Sequence, residues 1–218
     1  MRRALALVVI AAVCLGSAAS TASSSPAVRA TTPRWVGTAI NRLAKLVVKP
    51  AAPMTGYSRA RFGPAWQDVD RNHCDTRDDI LRRDLKPFTL KPASSCVVVS
   101  GDLNDPYTGK IIHFVRGATS TAVQIDHVVA LAAAWRTGAA DWRPHRRLFY
   151  ANDPDVLLAV DGPANEQKSD NDASGWVAPQ YTCRYVAQQV AIKRKYTLWV
   201  TPTEHDRMAQ YLAACSVP

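Results

Sequence analysis

The fold is organised around residues 125–131, which have the sequence IDHVVAL. This stretch is an apolar strand that ends on a carboxylate, Asp126, beside an imidazole, His127. Neighbouring side chains of a regular strand point to opposite faces, so both groups serve one site only if the strand ends there and the backbone bends. Taken alone, the pair is typical of a surface contact or a hydrogen-bonded core histidine. Its place at the end of an apolar strand favours a site, because buried polar groups need partners.

A second polar cluster lies at residues 165–170, where the sequence NEQKSD enters a predicted helix. The amide oxygen of Asn165 suits a hard cation such as Mg²⁺, and the ammonium of Lys168 suits a phosphate. Taken alone, the two residues are typical of a helix N-cap and a solvated lysine. Together with Asp126 and His127, they predict one divalent metal and one general base at a single centre, which suits phosphodiester hydrolysis.

The flanking sequence predicts a mixture of helices and strands. Asp75 followed by early acidic residues predicts a helix over 75–83. Thr201 and Glu204 form a capping box that opens a last helix ending at 214. Periodicity and turn signals predict the other elements, which are a hairpin of 97–99 and 110–115, a strand over 123–128, a helix over 129–137, a strand over 156–160 and a helix over 185–196. The predicted fold class is α+β.

The N-terminal region predicts export. Residues 1–22 combine two arginines, a short apolar run and small residues, which is typical of a secretory signal peptide. The run is too short to span a bilayer, and no later stretch is apolar enough to do so. Residues 23–56 are expected to form a basic linker with a short helix, and residues 57–218 the compact domain. We therefore expect a secreted, extracellular and monomeric protein.

Four cysteines remain after the predicted signal peptide, an even number that suits disulfides in an oxidising compartment. Four cysteines allow three pairings. Proximity in the sequence favours Cys74 with Cys96 and Cys183 with Cys215. A zinc site of four thiolates is the alternative, but the sequence has no pair of cysteines separated by two residues, which favours disulfides.

The net charge of +9 is unevenly distributed. Much of the excess lies before residue 56, where basic residues stand without an acidic one, and this segment either holds nucleic acid or an anionic envelope or is a solvated leader. A second basic run contains Arg143, Arg146 and Arg147 ahead of two aromatic residues. This run is either a surface that follows a nucleic-acid backbone or a solvated loop.

Several motifs, taken in their order along the chain, resemble one family. They are residues 74–81, 105–109, 125–131, 134–139, 151–154, 165–170 and the tail 185–215. Together they resemble secreted HNH endonuclease family proteins, which belong with the C-terminal nuclease domain of GmrSD-type restriction enzymes in the His-Me finger superfamily. Each motif is weak by itself, and the resemblance over residues 57–215 rests on their order.

The resemblance implies a ββα-metal finger embedded in a small, mixed, disulfide-stapled domain. His127 would be the general base that activates water, and Asp126 a metal ligand from the first strand. Asn165 stands where the ligand on the helix is found. Lys168 or Arg77 would neutralise charge on the phosphoryl oxygens. The implied cofactor is a divalent metal, with Mg²⁺ as first choice and Mn²⁺, Ca²⁺, Zn²⁺ or Ni²⁺ as alternatives, and the implied substrate is nucleic acid, DNA before RNA.

One position departs from the family pattern. The asparagine that orients the base usually precedes an apolar strand, nine positions before the ligand on the helix, and here that position is Val156. Asn152 or Asp155 would have to take this role. The departure keeps open a non-catalytic protein that binds nucleic acid or the cell envelope on a degenerate nuclease scaffold. A zinc hydrolase of peptidoglycan or peptides is disfavoured, because the other histidines lie in no zinc-ligand spacing with His127.

Overall fold

The structure, a computed structural model, describes residues 32–215. The predicted signal peptide at residues 1–22, and the predicted linker as far as residue 31, lie outside the described residues. Within residues 32–215 the helices are α1 (Arg34–Leu43), α2 (Thr76–Asp84), α3 (Leu131–Arg136), α4 (Pro144–Ala151), α5 (Gly162–Lys168), α6 (Thr182–Tyr196) and α7 (Pro202–Ala213). The strands of the same range are β1 (Leu85–Leu90), β2 (Val98–Asn104), β3 (Ile111–Val115), β4 (Val123–His127) and β5 (Leu157–Asp161). This mixture confirms the predicted α+β class.

The strands form two antiparallel sheets. β2 lies between β1 and β3 in one sheet, and β4 pairs with β5 in the other, with His127 opposite Leu157. A two-stranded sheet is marginal by itself, and α2 supports this one. The Arg83 guanidinium donates to the Leu157 carbonyl at 2.7 Å, and the Asp84 carboxylate accepts from the Ala159 amide at 2.9 Å. The β4–β5 pair is thereby fixed to the rest of the domain.

The β4–β5 pair lies between two apolar clusters. Ile125 and Leu157 pack with α2 and the three-stranded sheet, whereas Val128 and Val160 pack with the helices. Side chains alternate along a strand, so Asp126 points away from Ile125, toward Lys168 at the end of α5. The polar residues at the end of β4 consequently lie where the two clusters meet.

Helix ends follow the capping signals of the sequence. The Asp75 carboxylate accepts from the Asp78 amide at the start of α2. Thr201 and Glu204 form the predicted capping box of α7. The predicted hairpin is confirmed as β2 and β3, whereas β1 is a strand that the sequence patterns do not predict. α5 starts at Gly162, before the predicted position, because the Asp161 side chain caps the Ala164 amide at 2.8 Å.

The compact body begins before residue 57. α1 buries Val36, Ala39 and Leu43, of which Ala39 and Leu43 belong to the larger apolar cluster. Its helical spacing gives it an apolar face that packs on α6 and α7. After α1, the Lys49 amide donates to the Val200 carbonyl at 3.0 Å. Part of the segment expected as a linker is therefore packed as an element of the domain.

Both predicted disulfides are confirmed. Cys74–Cys96 ties the start of α2 to the turn before β2, and Cys183–Cys215 ties the start of α6 to the end of α7. Each bridge closes a loop between elements that are already packed together, which stabilises the fold by restricting the unfolded chain. Among the helices of residues 32–215, none has the length and apolar character needed to cross a membrane.

Candidate functional site

The candidate site is built on β4, β5 and α5, which follow the order strand, strand, helix. β4 ends on His127, and β5 returns antiparallel to it and runs directly into α5. The junction is tight, because a Cβ atom on Gly162 would lie 2.3 Å from the Thr121 carbonyl oxygen. Only glycine lets α5 approach this closely to the start of β4.

Asp126 is the buried anion of the site and is 5% exposed. Its Oδ1 accepts a hydrogen bond from Lys168 Nζ at 2.8 Å, and its Oδ2 accepts one from the Tyr107 hydroxyl. Lys168 is fully buried and also donates to the His127 carbonyl at 3.0 Å. Burial, followed by the Asp126 charge, raises the pKa of Tyr107 well above its usual value, so the phenol keeps its proton and donates. The carboxylate is held rigidly by a cation and a neutral donor.

Lys168 was expected to contact a phosphate, and the structure places its ammonium inside the protein on Asp126. A buried ion pair is tolerated when both charges keep their hydrogen bonds, and removing one partner leaves an uncompensated charge. In this arrangement Lys168 orients Asp126 and balances its charge.

His127 lies at the end of β4 and is 7% exposed. Its Nε2 lies 2.9 Å from the Ala151 carbonyl oxygen. A carbonyl only accepts, so Nε2 carries the proton, and Nδ1 is left as the basic nitrogen. Burial lowers the pKa of His127 to about 4, a shift that the Asp126 carboxylate only partly opposes. The imidazole is therefore neutral at physiological pH and is held in one tautomer, as a general base requires.

Asn152 and Asp155 are the predicted candidates for orienting the base, because Val156 stands at the position where the family pattern has an asparagine. The orienting contact in the structure comes from the Ala151 carbonyl, whereas Asn152 Nδ2 donates to the Leu148 carbonyl at 3.0 Å. Val156 is fully buried in the larger apolar cluster. Its backbone carbonyl accepts from the Val128 amide at 2.9 Å, which helps to join β4 to β5. Val156 is therefore a packing residue of the apolar core.

Asn165 stands on the first half of α5, across from β4. Its Nδ2 donates to Gln124 Oε1 at 2.8 Å, and Gln124 Nε2 donates to Glu166 Oε1 at 3.1 Å. Because Gln124 takes the amide nitrogen, the Asn165 oxygen is the atom left to accept. Gln124 and Asp126 lie two residues apart on β4 and so share one face of the strand. The pairing with Gln124 thus fixes the orientation of Asn165 relative to Asp126.

The donor set fits a hard cation with few protein ligands. Asp126 and Asn165 line one cleft together with Glu166 and Asp170. The volume of this cleft is about 290 Å³. Asp170 is already bound by Arg136 at 2.5 Å. In the part of the chain that the structure describes, no three histidine, cysteine or acidic side chains come together as a metal cage. One carboxylate, one amide oxygen and water or phosphate oxygens are the kind of set that Mg²⁺ accepts.

The predicted basic residues fall into different places. Arg77 lines a cavity beside Asn165 and Gln124, and its Nη2 lies 3.4 Å from the Val123 carbonyl. Arg143, the residue before α4, and Arg146, on α4, are exposed, and Arg146 stacks over Trp142. Arg147 is buried, and its guanidinium donates to backbone carbonyls of Arg61, Ala139, Ala140 and Trp142. Arg147 therefore holds the chain before α4 in place, while Arg77 is the predicted arginine nearest the site.

Two residues of the site were not found from the sequence. Arg59 lines the cleft with Asp126 and Asn165, the cavity with Arg77, and an apolar pocket beside His127. It opens a short 3-10 helix, Arg59–Phe62, whose sequence has no apolar periodicity, so its charge is the only signal in the sequence. Tyr107 lies in the turn between β2 and β3, and the sequence marks this turn only as one of the motifs that resemble the family. The buried hydroxyl on Asp126 needed the packed structure to be seen.

Comparisons with known proteins bear on the family to which the chain belongs. The chain matches the family model described as GmrSD restriction endonucleases, C-terminal domain, over residues 75–211. It is also 37% identical over 185 residues to a protein of Arthroderma benhamiae named "Uncharacterized secreted protein", an alignment that covers 82% of this chain and 85% of that relative. No solved structure matches the chain significantly. The matched residues include β4, β5 and α5 with all the polar groups they carry, and the chain belongs to the family of GmrSD restriction endonuclease C-terminal domains, which is a nuclease family.

Proposed function

We propose that this chain is a secreted, metal-dependent endonuclease that hydrolyses phosphodiester bonds, with DNA as the first candidate substrate. The observation that carries the proposal is His127, a neutral imidazole with its Nε2 fixed on a backbone carbonyl and its Nδ1 left basic. It lies beside Asp126 and across from Asn165, at the edge of an open cleft. Membership of a nuclease family supports the same chemistry.

His127 acts as the general base. Its Nδ1 accepts a proton from the attacking water, while the Ala151 carbonyl keeps the ring from turning. A pKa of about 4 in the free protein makes the imidazole a weak base. A phosphodiester anion brought next to the ring favours its protonated form, which raises the pKa in the complex. A divalent ion on Asp126 would oppose this shift, so proton transfer to Nδ1 relies on the fixed position of the ring.

Asp126 and Asn165 are the residues that would hold the metal, through one carboxylate oxygen and the amide oxygen. Bound there, a divalent ion supplies Lewis-acid polarisation of the scissile phosphate. Lys168 and Tyr107 keep the carboxylate in place from the protein side. Arg59 and Arg77 contribute positive charge on the solvent side, where they bind the anionic backbone of the substrate.

Export is part of the proposal. The relative of 37% identity is named as a secreted protein, two disulfides suit an oxidising compartment, and the sequence of residues 1–22 has the form of a signal peptide. We propose that the mature protein acts outside the cell as a monomer.

A non-catalytic binding protein on the same scaffold is the second candidate. Val156 favours it, since this position has no polar side chain and is part of the core. The ion pair of Asp126 with Lys168 also favours it, because the ammonium competes with a metal ion for the carboxylate. The two candidates differ in whether a divalent ion produces strand cleavage.

The test is nicking of supercoiled plasmid by the secreted protein with Mg²⁺, with Mn²⁺ or with EDTA. We expect nicking with either ion and none with EDTA. Asn165→Ala should raise the metal concentration for half-maximal rate on the order of 10-fold or more, as loss of a coordinating contact does. Asn104→Ala, on an exposed strand end, is the matched control and should leave it unchanged. Absence of nicking with every ion, together with retained DNA binding, would establish the non-catalytic alternative.

A further inference from the structure

An apolar pocket shares His127 with the cleft as a lining residue. Its volume is about 220 Å³, and its walls include Phe62, Pro64, Trp66 and Leu131. His127 and Asn152 are also among the lining residues. The proposed general base therefore lines both an apolar pocket and a polar cleft. A group bound in the pocket would lie next to the atoms on which His127 acts.

The wall of this pocket comes mainly from residues 59–66. This segment precedes the part of the chain that matches the family model, which begins at residue 75. Phe62 anchors the segment by packing against Trp135 and Tyr150. Arg147 anchors it from the backbone, donating to the Arg61 carbonyl at 2.9 Å. The pocket is therefore a built feature of this chain rather than a gap beside a loose loop.

Trp66 lines both the pocket and the neighbouring cavity that holds Arg77. Its side chain is half-buried and its φ of 58° lies in the left-handed region, where a bulky residue is rarely found without a constraint. The Thr76 amide, at the start of α2, donates to the Trp66 carbonyl at 3.3 Å. The indole consequently lines the pocket and is carried by a backbone that is held in place.

Arg59 brings a positive charge to the mouth of the pocket. It lines the pocket, the cleft and the Arg77 cavity alike, and its charge reaches His127. Among residues 32–215, its exposed side chain has no hydrogen-bond or ion-pair partner. A free guanidinium at this place suits an anionic oxygen of a ligand.

We infer that this pocket binds an unpaired nucleobase adjoining the phosphodiester on which His127 acts, with Arg59 on the flanking phosphate. The inference rests on the proposed nuclease function. A flat aromatic ring joined to an anion fits an indole wall, an apolar interior and a guanidinium at the mouth. A base stacked inside a duplex does not reach such a pocket unless it leaves the stack. The substrate class is accordingly single-stranded or locally opened nucleic acid, rather than a closed duplex.

The test measures binding without catalysis. Fluorescence anisotropy in EDTA compares a short labelled oligothymidylate, the same oligomer made of abasic residues, and a duplex of equal length. The wild-type protein should prefer the intact single strand over both. Trp66→Ala should weaken binding of the intact strand about 5- to 150-fold, the range for loss of one stacked base, and should abolish the difference between intact and abasic strands. Trp66→Phe should restore most of both.

Controls separate the pocket from general effects. Trp35→Ala changes a half-buried tryptophan that lines a cavity sharing no residue with the three around Arg59, and it should bind as wild type. Ala65→Phe fills the pocket from an exposed wall position and should mimic Trp66→Ala, so the test stands even if Trp66→Ala does not fold.

Equal wild-type affinity for intact and abasic strands would overturn the pocket assignment. So would unchanged base discrimination in folded Trp66→Ala and Ala65→Phe. Plasmid nicking reports independently on the proposed function. If the protein nicks plasmid but binds intact and abasic strands equally, the pocket assignment is wrong and the proposed nuclease function stands. If the protein discriminates between intact and abasic strands but fails to nick plasmid with any ion, the pocket assignment stands and the proposed function is wrong.

Discussion

The carboxylate and imidazole of Asp102 and His113 stand in different surroundings from those of Asp126 and His127. On the three-stranded sheet, His113 Nδ1 lies 2.6 Å from Asp102 Oδ1, with the two side chains 68% and 40% exposed. At the end of β4, Asp126 and His127 are both buried and each bonds elsewhere, the carboxylate to Lys168 and Tyr107 and the imidazole to a backbone carbonyl. The exposed residues pair with each other, whereas the buried ones are held apart by the protein.

This difference shows what turns a residue pair into a site. Direct pairing at the surface is worth little and leaves the imidazole nitrogen engaged with its own carboxylate. Separate partners at β4 leave one imidazole nitrogen basic and the carboxylate beside a cleft. Burial adds a depressed His127 pKa, which keeps the ring neutral. The same two residue types therefore have different chemistry because their partners differ.

The largest expected effect is on catalysis. His127→Ala should lower the rate of plasmid nicking by ~10²–10⁴-fold, the usual contribution of a general base. His113→Ala, the matched change in the exposed pair, should keep the wild-type rate. Near-wild-type nicking by His127→Ala at saturating Mg²⁺ would remove the imidazole from the mechanism.

A smaller effect is expected on stability when the buried ion pair is broken. Lys168→Met leaves the Asp126 charge buried without its cation and should reduce the free energy of unfolding by ~3–5 kcal/mol. Urea denaturation measures this change. Adding Asp126→Asn to the same chain should recover most of the loss, because no buried charge then remains.

For the exposed pair, Asp102→Asn should change the unfolding free energy by less than ~1 kcal/mol. A loss from Lys168→Met as small as this would mean that the Asp126–Lys168 pair contributes no more than a surface contact.

The next effect is a dependence of stability on pH. The pKa of His127 is lowered to about 4 in the folded protein from an ordinary value of about 6.5. Between these values the unfolded chain binds a proton that the folded chain does not. Stability should therefore be full above about pH 6.5 and fall by about 1.4 kcal/mol per unit as pH drops toward 4. The measurement is the free energy of unfolding in EDTA as a function of pH, and His127→Gln should lack this slope. Parallel curves for the wild type and His127→Gln would contradict the assignment of the slope to His127.

The smallest expected effect concerns Val156. Val156→Asn places an amide in the apolar cluster, which should lower the free energy of unfolding by ~1–3 kcal/mol and leave the nicking rate no higher. Val115→Asn, on an exposed strand position, is the control and should change stability by less than ~0.5 kcal/mol. An increased rate for Val156→Asn would instead identify the position as a lost orienting residue.

Sequence reasoning reached the parts of the site that carry local signals. Asp126 and His127 ended an apolar strand, Asn165 and Lys168 entered a helix, and the cysteines paired by proximity. Arg147 shows the limit. Its charge in a basic run suggested a nucleic-acid surface, but the arginine turned inward to four carbonyls. Arg59 was passed over and lies at the centre of the site. Nothing in the local sequence distinguishes an arginine that caps carbonyls from one that faces a cleft.

The sequence by itself determined the order of β4, β5 and α5, because alternation, glycine and capping residues act over a few neighbours. It also determined the chemical types available at their ends. Only the tertiary structure decided which atoms are free to act. The ring of His127 is held by a carbonyl, a group that every residue carries and that no sequence pattern singles out. Lys168 pairs with Asp126 and not with solvent because both side chains are buried by the surrounding elements. Such contacts between residues far apart in the chain are set by tertiary packing.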